Sequence, residues 1–243
     1  MKKHLAVLAS LIVGFALTTL HAQPGPPPGP SFDGAMAKLF GDHTGFSATM
    51  EFHATRPTGD EITMPGKIAC LEGKSRFDMD MSKMQGGHMP PQAAAHMKQM
   101  GMGRMTTITH RDKKLSYLIY PDMKAYVEIT AREAGADPAD YKTEVTKLGE
   151  ETIDGHDCIK NKVVVTGPDG FKHESTVWNA SDLKQFPVKI QTKSEKGMAM
   201  VMLFKEVKLE KPDAAQFDLP ADLTKYDDMM SLMMSRARKG PPQ

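Results

Sequence analysis

The sequence predicts a mainly β protein built on one strongly curved antiparallel sheet, an open half-barrel of about ten strands in meander order. We expect short helices across its concave face and one more helix at the C-terminus. Two observations predict this fold. Apolar and polar residues alternate over many short runs, and turn-forming pairs such as Asp154-Gly155 separate those runs. A meander of that many strands must curl to bury one of its faces.

Residues 1–22 have the three parts of a secretion signal. Lys2 and Lys3 form a basic start, residues 5–20 an apolar run, and Ala22 ends a plausible cleavage site. A membrane anchor is the alternative, but the apolar run is short for a span. No cysteine lies near the cleavage site, so lipid attachment there is not expected. The sequence therefore predicts a periplasmic or secreted protein.

Composition divides the rest of the chain. Residues 23–31 form a Pro/Gly-rich linker, and residues 32–226 are predicted to form the half-barrel domain, with a Met-rich insertion at 82–104. Residues 227–243 form the C-terminal helix and tail. Cleavage after residue 22 leaves 243 − 22 = 221 residues, enough for one β domain with its own core. The net charge of +1 argues against a dedicated nucleic-acid binder.

The elements of the first half begin with a short helix. Ser31 is suited to cap it, and Met36, Leu39 and Phe40 would share one side. Alternating residues then predict strands at 46–52, 61–71 and 77–81, and three more between Met105 and Thr130, broken by turns at 111–113 and 121–122.

The second half opens on the strongest hairpin signal, from Gly149 to Val165, because Asp154-Gly155 suits a type I′ turn. A brief helical corner is predicted at Ser181 to Leu183. Further strands are predicted at 171–178, 187–193 and 198–209, and a last helix over about 221–238, whose one side carries Met229, Met230, Met233 and Met234. This helix is expected to dock on the sheet; contact with an acidic membrane surface is the alternative.

Cysteine and histidine patterns give no catalytic arrangement. In the simplest register, alternation places Cys70 and Cys158 on opposite faces of the sheet, which argues against a disulfide between them. An exported chain nevertheless permits a disulfide, so the sequence leaves open whether the two cysteines are bonded or free. His156-Asp157-Cys158 joins a thiol to a base, but it follows a tight turn where neighbouring side chains diverge. No G-x-S-x-G, H-E-x-x-H, C-x-x-C or P-loop spacing occurs. We expect neither enzymatic activity nor a cofactor.

Eight methionines lie between Met79 and Met105. Flexible thioethers suit an adaptable apolar pocket or lid. They are also soft ligands, so Cu(I) is an alternative occupant. A plain Gly/Pro-rich loop without a ligand is the third interpretation. The candidate metal ligands are His88, His96, Met97 and Met100, of which His96 and Met100 would meet on a short helix over 92–100.

Apolar faces rich in methionine and phenylalanine are candidates for a ligand cavity. Core packing is the simpler interpretation for the last strand, which is apolar on both faces. Trp178 is expected to be a core anchor without a charged partner. The residues predicted to line the cavity are Phe46, Met50, Phe52, Met64, Phe77, Met79, Met200, Met202 and Phe204.

In the order of its motifs, the chain resembles a family of secreted bacterial proteins that share a domain of unknown function. The motifs are EGKSRFDM (Glu72–Met79), TTITHRDKKLSYLIYPDMKAYVEI (106–129), GEETIDGHDCIKNKV (149–163), VWNASDLKQFPVKI (Val177–Ile190) and FDLP (Phe217–Pro220). That family in turn resembles the periplasmic lipoprotein-localisation carrier fold. The resemblance implies an open half-barrel whose apolar side holds acyl chains, and it implies no catalytic residues.

The sequence thus predicts an exported, non-enzymatic carrier of a lipid or other apolar ligand, such as the acyl chains of an envelope lipoprotein. Two alternatives remain. One is a Met/His-rich periplasmic copper-binding protein, and the other is a structural cell-envelope module with a closed core. No oligomeric state is predicted.

Overall fold

The computed structural model describes residues 34–86, 91–130, 137–193 and 197–239. These ranges contain one 13-stranded sheet and three α-helices. The first seven strands are β1 (Gly45–Thr55), β2 (Glu61–Leu71), β3 (Lys74–Asp80), β4 (Gln85–Gly86), β5 (Arg104–His110), β6 (Leu115–Tyr120) and β7 (Ala125–Thr130). The other six are β8 (Lys142–Ile153), β9 (His156–Thr166), β10 (Lys172–Ala180), β11 (Phe186–Lys193), β12 (Ala199–Lys208) and β13 (Thr224–Tyr226). The helices are α1 (Gly34–Leu39), α2 (Pro91–Gln99) and α3 (Met229–Lys239).

Strand β1 joins the two halves of the sheet. From β1 the chain runs through β2, β3, β5 and β6 to β7, each strand antiparallel to the last. It then passes to the opposite edge and returns from β8 to β12, which pairs with the free side of β1. Strand β13 adds a parallel edge beside β7. The predicted curved, open, mainly antiparallel sheet is confirmed.

Strand register places the alternating apolar residues on one face. Met50 lies opposite both Gly66 and Phe204, and Phe52 lies opposite Met64 and Met202. Gly66 is required here, because a Cβ at this position would lie 2.9 Å from the carbonyl oxygen of Asp78 and 3.4 Å from the Met50 methyl. The predicted type I′ turn is also present, since Asp154 and Gly155 have φ values of +52° and +87°.

Helix α1 and the residue that follows it pack on this apolar face, which we call the helix face. The Phe40 ring lies 5.0 Å from Phe46, 5.3 Å from Phe204 and 5.6 Å from Phe186, measured between centroids. Leu39 and Phe40 are buried and Met36 is half-buried, so the predicted apolar side of the first helix is confirmed. Helix α1 and Phe40 therefore cover the centre of the helix face.

The segment after β12 packs on the opposite face, which we call the outer face. Phe217 is fully buried there against Ile108 and Ile119. Two hydrogen bonds hold this segment: Arg76 Nη1 donates to the Gln216 carbonyl over 2.9 Å, and His110 Nε2 donates to the Phe217 carbonyl over 2.7 Å. The FDLP motif thus supplies a strap across the sheet.

The terminal helix begins later than predicted and docks through a different side. Residues 224–226 pair with β7 instead of forming helix, and Asp228 caps α3 by accepting the Ser231 amide over 2.6 Å. Leu232 is fully buried against Tyr120, Ala125 and Val127. The Met stripe was expected to dock, but three of its members are exposed: Met230, Met233 and Met234. Their contact with a membrane surface stays a prediction.

Two further features complete the fold. The predicted helical corner at Ser181 to Leu183 is a hydrogen-bonded turn running to residue 185, because Lys184 and Gln185 adopt positive φ. Across the described ranges, no helix is both long enough and apolar enough to cross a membrane.

Replacing Phe46 by alanine is expected to lower the free energy of unfolding by about 3–5 kcal/mol, because the ring is fully buried and packs against Phe40 and Phe186. Urea denaturation followed by circular dichroism measures this change. Phe171→Ala is the matched control, since that ring is 49% exposed, and it is expected to cost less than about 0.5 kcal/mol. Equal losses in the two variants would contradict the described core.

Candidate ligand-binding cleft

An open cleft of about 590 Å³ lies on the helix face beside α1. Its volume is within the range of small-molecule sites, roughly 300–1,000 Å³. It is lined by Lys38, Leu39, Phe40, Gly41, Asp42, His43, Thr143, Val145, Val163, Val177, Asn179, Lys184 and Gln185.

Three valines from neighbouring strands form the floor of the cleft. Val145 on β8 lies opposite Val163 on β9, and Val177 comes from β10. Val163 and Val177 are buried, whereas Val145 is 61% exposed on the edge strand. An apolar side chain left in water at the edge of a groove is a surface that an apolar ligand would cover favourably.

The wall of the cleft is formed by the end of α1. Gly41, at φ +58°, donates its amide to the Lys38 carbonyl over 3.2 Å and ends the helix. The chain then turns so that His43 Nε2 donates to the Lys184 carbonyl over 3.1 Å. This bond joins the N-terminal segment to the turn between β10 and β11.

The nine residues predicted to line a cavity lie on the helix face, but none of them lines this cleft. Phe52 and Met200 are half-buried. The other seven are buried: Phe46, Met50, Met64, Phe77, Met79, Met202 and Phe204. Their role in ligand binding stays a prediction. The cleft residues that sequence reasoning missed, above all Val145, carry only an ordinary alternation signal, and their proximity to α1 depends on long-range packing.

Three of the four candidate metal ligands, His96, Met97 and Met100, occupy α2 and the turn after it. The predicted short helix is confirmed as α2, on which His96 is exposed and Met97 is half-buried. Met100 is half-buried and donates its amide to the His96 carbonyl over 2.9 Å. His88 lies outside the described residues. Within the described part of the chain, no group of three or more His, Cys, Asp or Glu is arranged to hold a metal ion.

Both cysteines are buried free thiols, so Cys70 and Cys158 do not form the disulfide that the sequence left open. Burial raises the pKa of the Cys70 thiol. Burial also raises the pKa of Cys158, and the nearby carboxylates of Asp182 and Asp157 act in the same direction. His156 Nδ1 lies 2.7 Å from Asp182 Oδ2, while the Cys158 thiol donates to the His156 carbonyl over 3.3 Å. A thiol kept protonated in this way is a poor nucleophile.

Trp178 has charged partners, so the expectation that it lacks them is wrong. It is 2% exposed and lies between two lysines, with Lys160 Nζ 5.0 Å and Lys189 Nζ 4.3 Å from the ring centroid. Its Nε1–H donates to Glu151 Oε2 over 2.8 Å. Both lysines are cross-strand neighbours of Trp178, and such neighbours cannot be read along the chain. The ring is an anchor held by cation–π contacts.

The comparisons with known proteins establish the family. The model of a domain of unknown function, DUF4412, matches residues 46–186. The chain belongs to this family. The predicted family resemblance is therefore confirmed. Among curated protein sequences, none matches the chain.

Several solved structures are similar to this member of the DUF4412 family. An uncharacterized conserved protein from Thermus thermophilus is 13% identical, with a TM-score of 0.48, over 79% of this chain and 97% of that chain. A LolA superfamily protein from Nitrosomonas europaea is 10% identical, with a TM-score of 0.43, over 76% and 94%. The Mycobacterium tuberculosis lipoprotein LppX is 10% identical, with a TM-score of 0.39, over 72% and 93%.

We predict that the native protein reacts slowly with a charged thiol reagent such as Ellman's reagent, because both thiols are buried and protonated. In denaturant, without any reductant, two thiols per chain should react quickly. Intact mass before and after alkylation under denaturing conditions provides the independent count. A protein that yields thiols only after reduction would contradict the described state.

Proposed function

We propose that this protein is a non-enzymatic carrier that holds the apolar chain of a lipid-like ligand in the cleft beside α1. The observation that carries the proposal is the open cleft itself. Val145, Val163 and Val177 form its floor, Leu39 and Phe40 also line it, and its volume is about 590 Å³. Covering such apolar surface contributes about 25 cal/mol per Å² removed from water.

The contacts of the candidate reactive groups and the lining of the cleft support binding rather than chemistry. The two groups that the sequence offered as a nucleophile and its base, Cys158 and His156, are directed to different partners. The lining of the cleft includes valines, amides and lysines, which are groups of the kind that hold a ligand in place. Export by the N-terminal signal would bring such a carrier to the bacterial envelope, where acyl chains are the abundant apolar ligands.

A closed-core structural module remains the second candidate, and one observation favours it. Seven of the nine residues predicted to line a cavity are buried, and five of them pack in the same core cluster as α1. The centre of the helix face is therefore filled by the protein itself. Among the described residues of this face, the cleft near β8 is open to a ligand.

Val145→Trp is expected to weaken binding of a dansyl-labelled undecanoic acid at least about tenfold, because the indole would fill the cleft. Fluorescence titration measures the change. The matched control is Glu144→Trp, whose side chain is exposed on the other face of the same strand. Equal affinity in the two variants would show that the ligand binds outside this cleft. An unaltered protein that does not bind the probe would favour the closed-core module.

Copper handling is the third candidate, and we predict at most weak Cu(I) binding. Thioether and imidazole groups favour this soft ion, but His96 is exposed and belongs to no group of three or more His, Cys, Asp or Glu among the described residues. Competition with the chelator bicinchoninate measures the affinity. Replacing His88, His96, Met97 and Met100 together should abolish any binding, whereas replacing the exposed methionines Met230, Met233 and Met234 should not. Tight, stoichiometric binding would make copper handling the leading function.

A further inference from the structure

We propose that the ligand of this cleft ends in an anionic group, a carboxylate or a phosphate, which Lys38 and Lys184 hold at the rim. This inference rests on the proposed carrier function and adds the chemical class of the ligand. It follows from three observations: the charges around the cleft, the absence of protein partners for its two ammonium groups among the described residues, and the backbone that supports Lys184.

The rim of the cleft is more basic than acidic. Lys38, at the end of α1, and Lys184, in the turn between β10 and β11, both line it. Asp42 is the one carboxylate among the lining residues, and it is exposed. His43 adds a ring N–H, which is directed to the Lys184 carbonyl. The formal charge of the lining residues, with histidine neutral, is therefore positive.

Neither ammonium group has a carboxylate partner in the described part of the chain. Some other lysines of this protein do have one: Lys124 pairs with Asp222 over 3.2 Å, and Lys162 pairs with Glu174 over 2.7 Å. No such pair within 4.0 Å exists for Lys38 or Lys184 among the described residues. Two positive charges beside an apolar floor, without internal partners, suit a ligand that supplies the negative charge.

The backbone beneath Lys184 is held in an unfavourable conformation. Lys184 and Gln185 have φ values of +54° and +64°, a region that residues with a Cβ rarely adopt twice in succession. Three hydrogen bonds maintain it: Gln185 N to the Ala180 carbonyl over 2.9 Å, Asn179 Nδ2 to the Gln185 carbonyl over 2.9 Å, and His43 Nε2 to the Lys184 carbonyl. Backbone strain retained by several contacts is typical of functional sites.

The arrangement is that of a site for an amphiphile. The chain of the ligand lies on Val145, Val163 and Val177, and its charged end meets the lysines at the rim. A neutral apolar ligand would leave both ammonium groups without a partner. A cationic amphiphile would be repelled by them.

The test compares a charged and an uncharged ligand with the same chain. Binding of dansyl-labelled undecanoic acid and of its methyl ester is titrated with the full mature protein. In the Lys38→Gln/Lys184→Gln variant, affinity for the acid should fall about fivefold or more, while affinity for the ester should not change. Affinity of the unaltered protein for the acid should also fall with added salt. The charge-matched control is Lys113→Gln/Lys172→Gln, two exposed lysines outside the cleft, which should bind both ligands as before.

A single glycine substitution separates a structural role of Lys184 from a ligand-binding role. Lys184→Gly relieves the positive φ, so the melting temperature should rise or stay constant, yet affinity for the acid should fall. Unchanged affinity for the acid in both lysine variants would overturn this inference. If the acid and the ester bind equally well to every variant, the carrier function is supported and the proposal of an anionic ligand is contradicted. If neither ligand binds, the carrier function falls as well.

Displacement experiments then identify the head group. Displacement of the probe by dodecanoate indicates a carboxylate, and stronger displacement by dodecyl phosphate indicates a phosphate; either result supports the inference. Displacement by a dodecyl trimethylammonium salt but by neither anion would contradict it.

Discussion

The packing of Phe40 against three phenylalanines of the sheet is the contact on which the rest of this structure depends. Phe46 comes from the first half of the chain, and Phe186 and Phe204 come from the second, so one ring joins α1 to both halves. Aromatic pairs in stacked or edge-to-face geometry contribute about 0.5–1.5 kcal/mol each beyond the area they bury. The cluster therefore fixes the position of α1 on the sheet.

The length of α1 explains why part of the sheet stays open. Its six residues span roughly 9 Å, the width of about two strands at their usual spacing. A sheet of 13 strands is far wider than this. The helix closes the centre, the docked α3 covers β6 and β7, and the edge strand β8 keeps most of its side chains exposed. The cleft lies where that cover ends.

Local patterns predicted the strands well because the side-chain period of a strand is two. Alternation placed Phe46, Met50 and Phe52 on one face, and Asp154-Gly155 marked a tight turn that the structure contains. Periodicity does not report which strands become neighbours or how far a helix reaches. For this reason alternation identified residues at the centre of the face, most of which are buried, and gave no sign of the cleft beside Val145 and Lys184.

The inability of local patterns to report tertiary neighbours also explains the other differences between the sequence-based predictions and the structure. The two lysines that flank Trp178 lie on adjacent strands. The helix at the C-terminus starts late because residues 224–226 pair with β7. The Met stripe of α3 follows helical spacing, yet Leu232 docks instead, since the direction in which the helix approaches the sheet decides which side is buried. Such outcomes depend on tertiary contacts that no short segment encodes.

The most direct test of the central claim is an NMR measurement of intermolecular contacts between a carbon-labelled dodecanoate and the methyl groups of the protein. We expect nuclear Overhauser effects from the acyl chain to the methyls of Leu39, Val145, Val163 and Val177, which line the cleft. Contacts to the methyls of Met50 and Met202 instead would show that the chain enters the centre of the sheet beneath α1 and would contradict the described site.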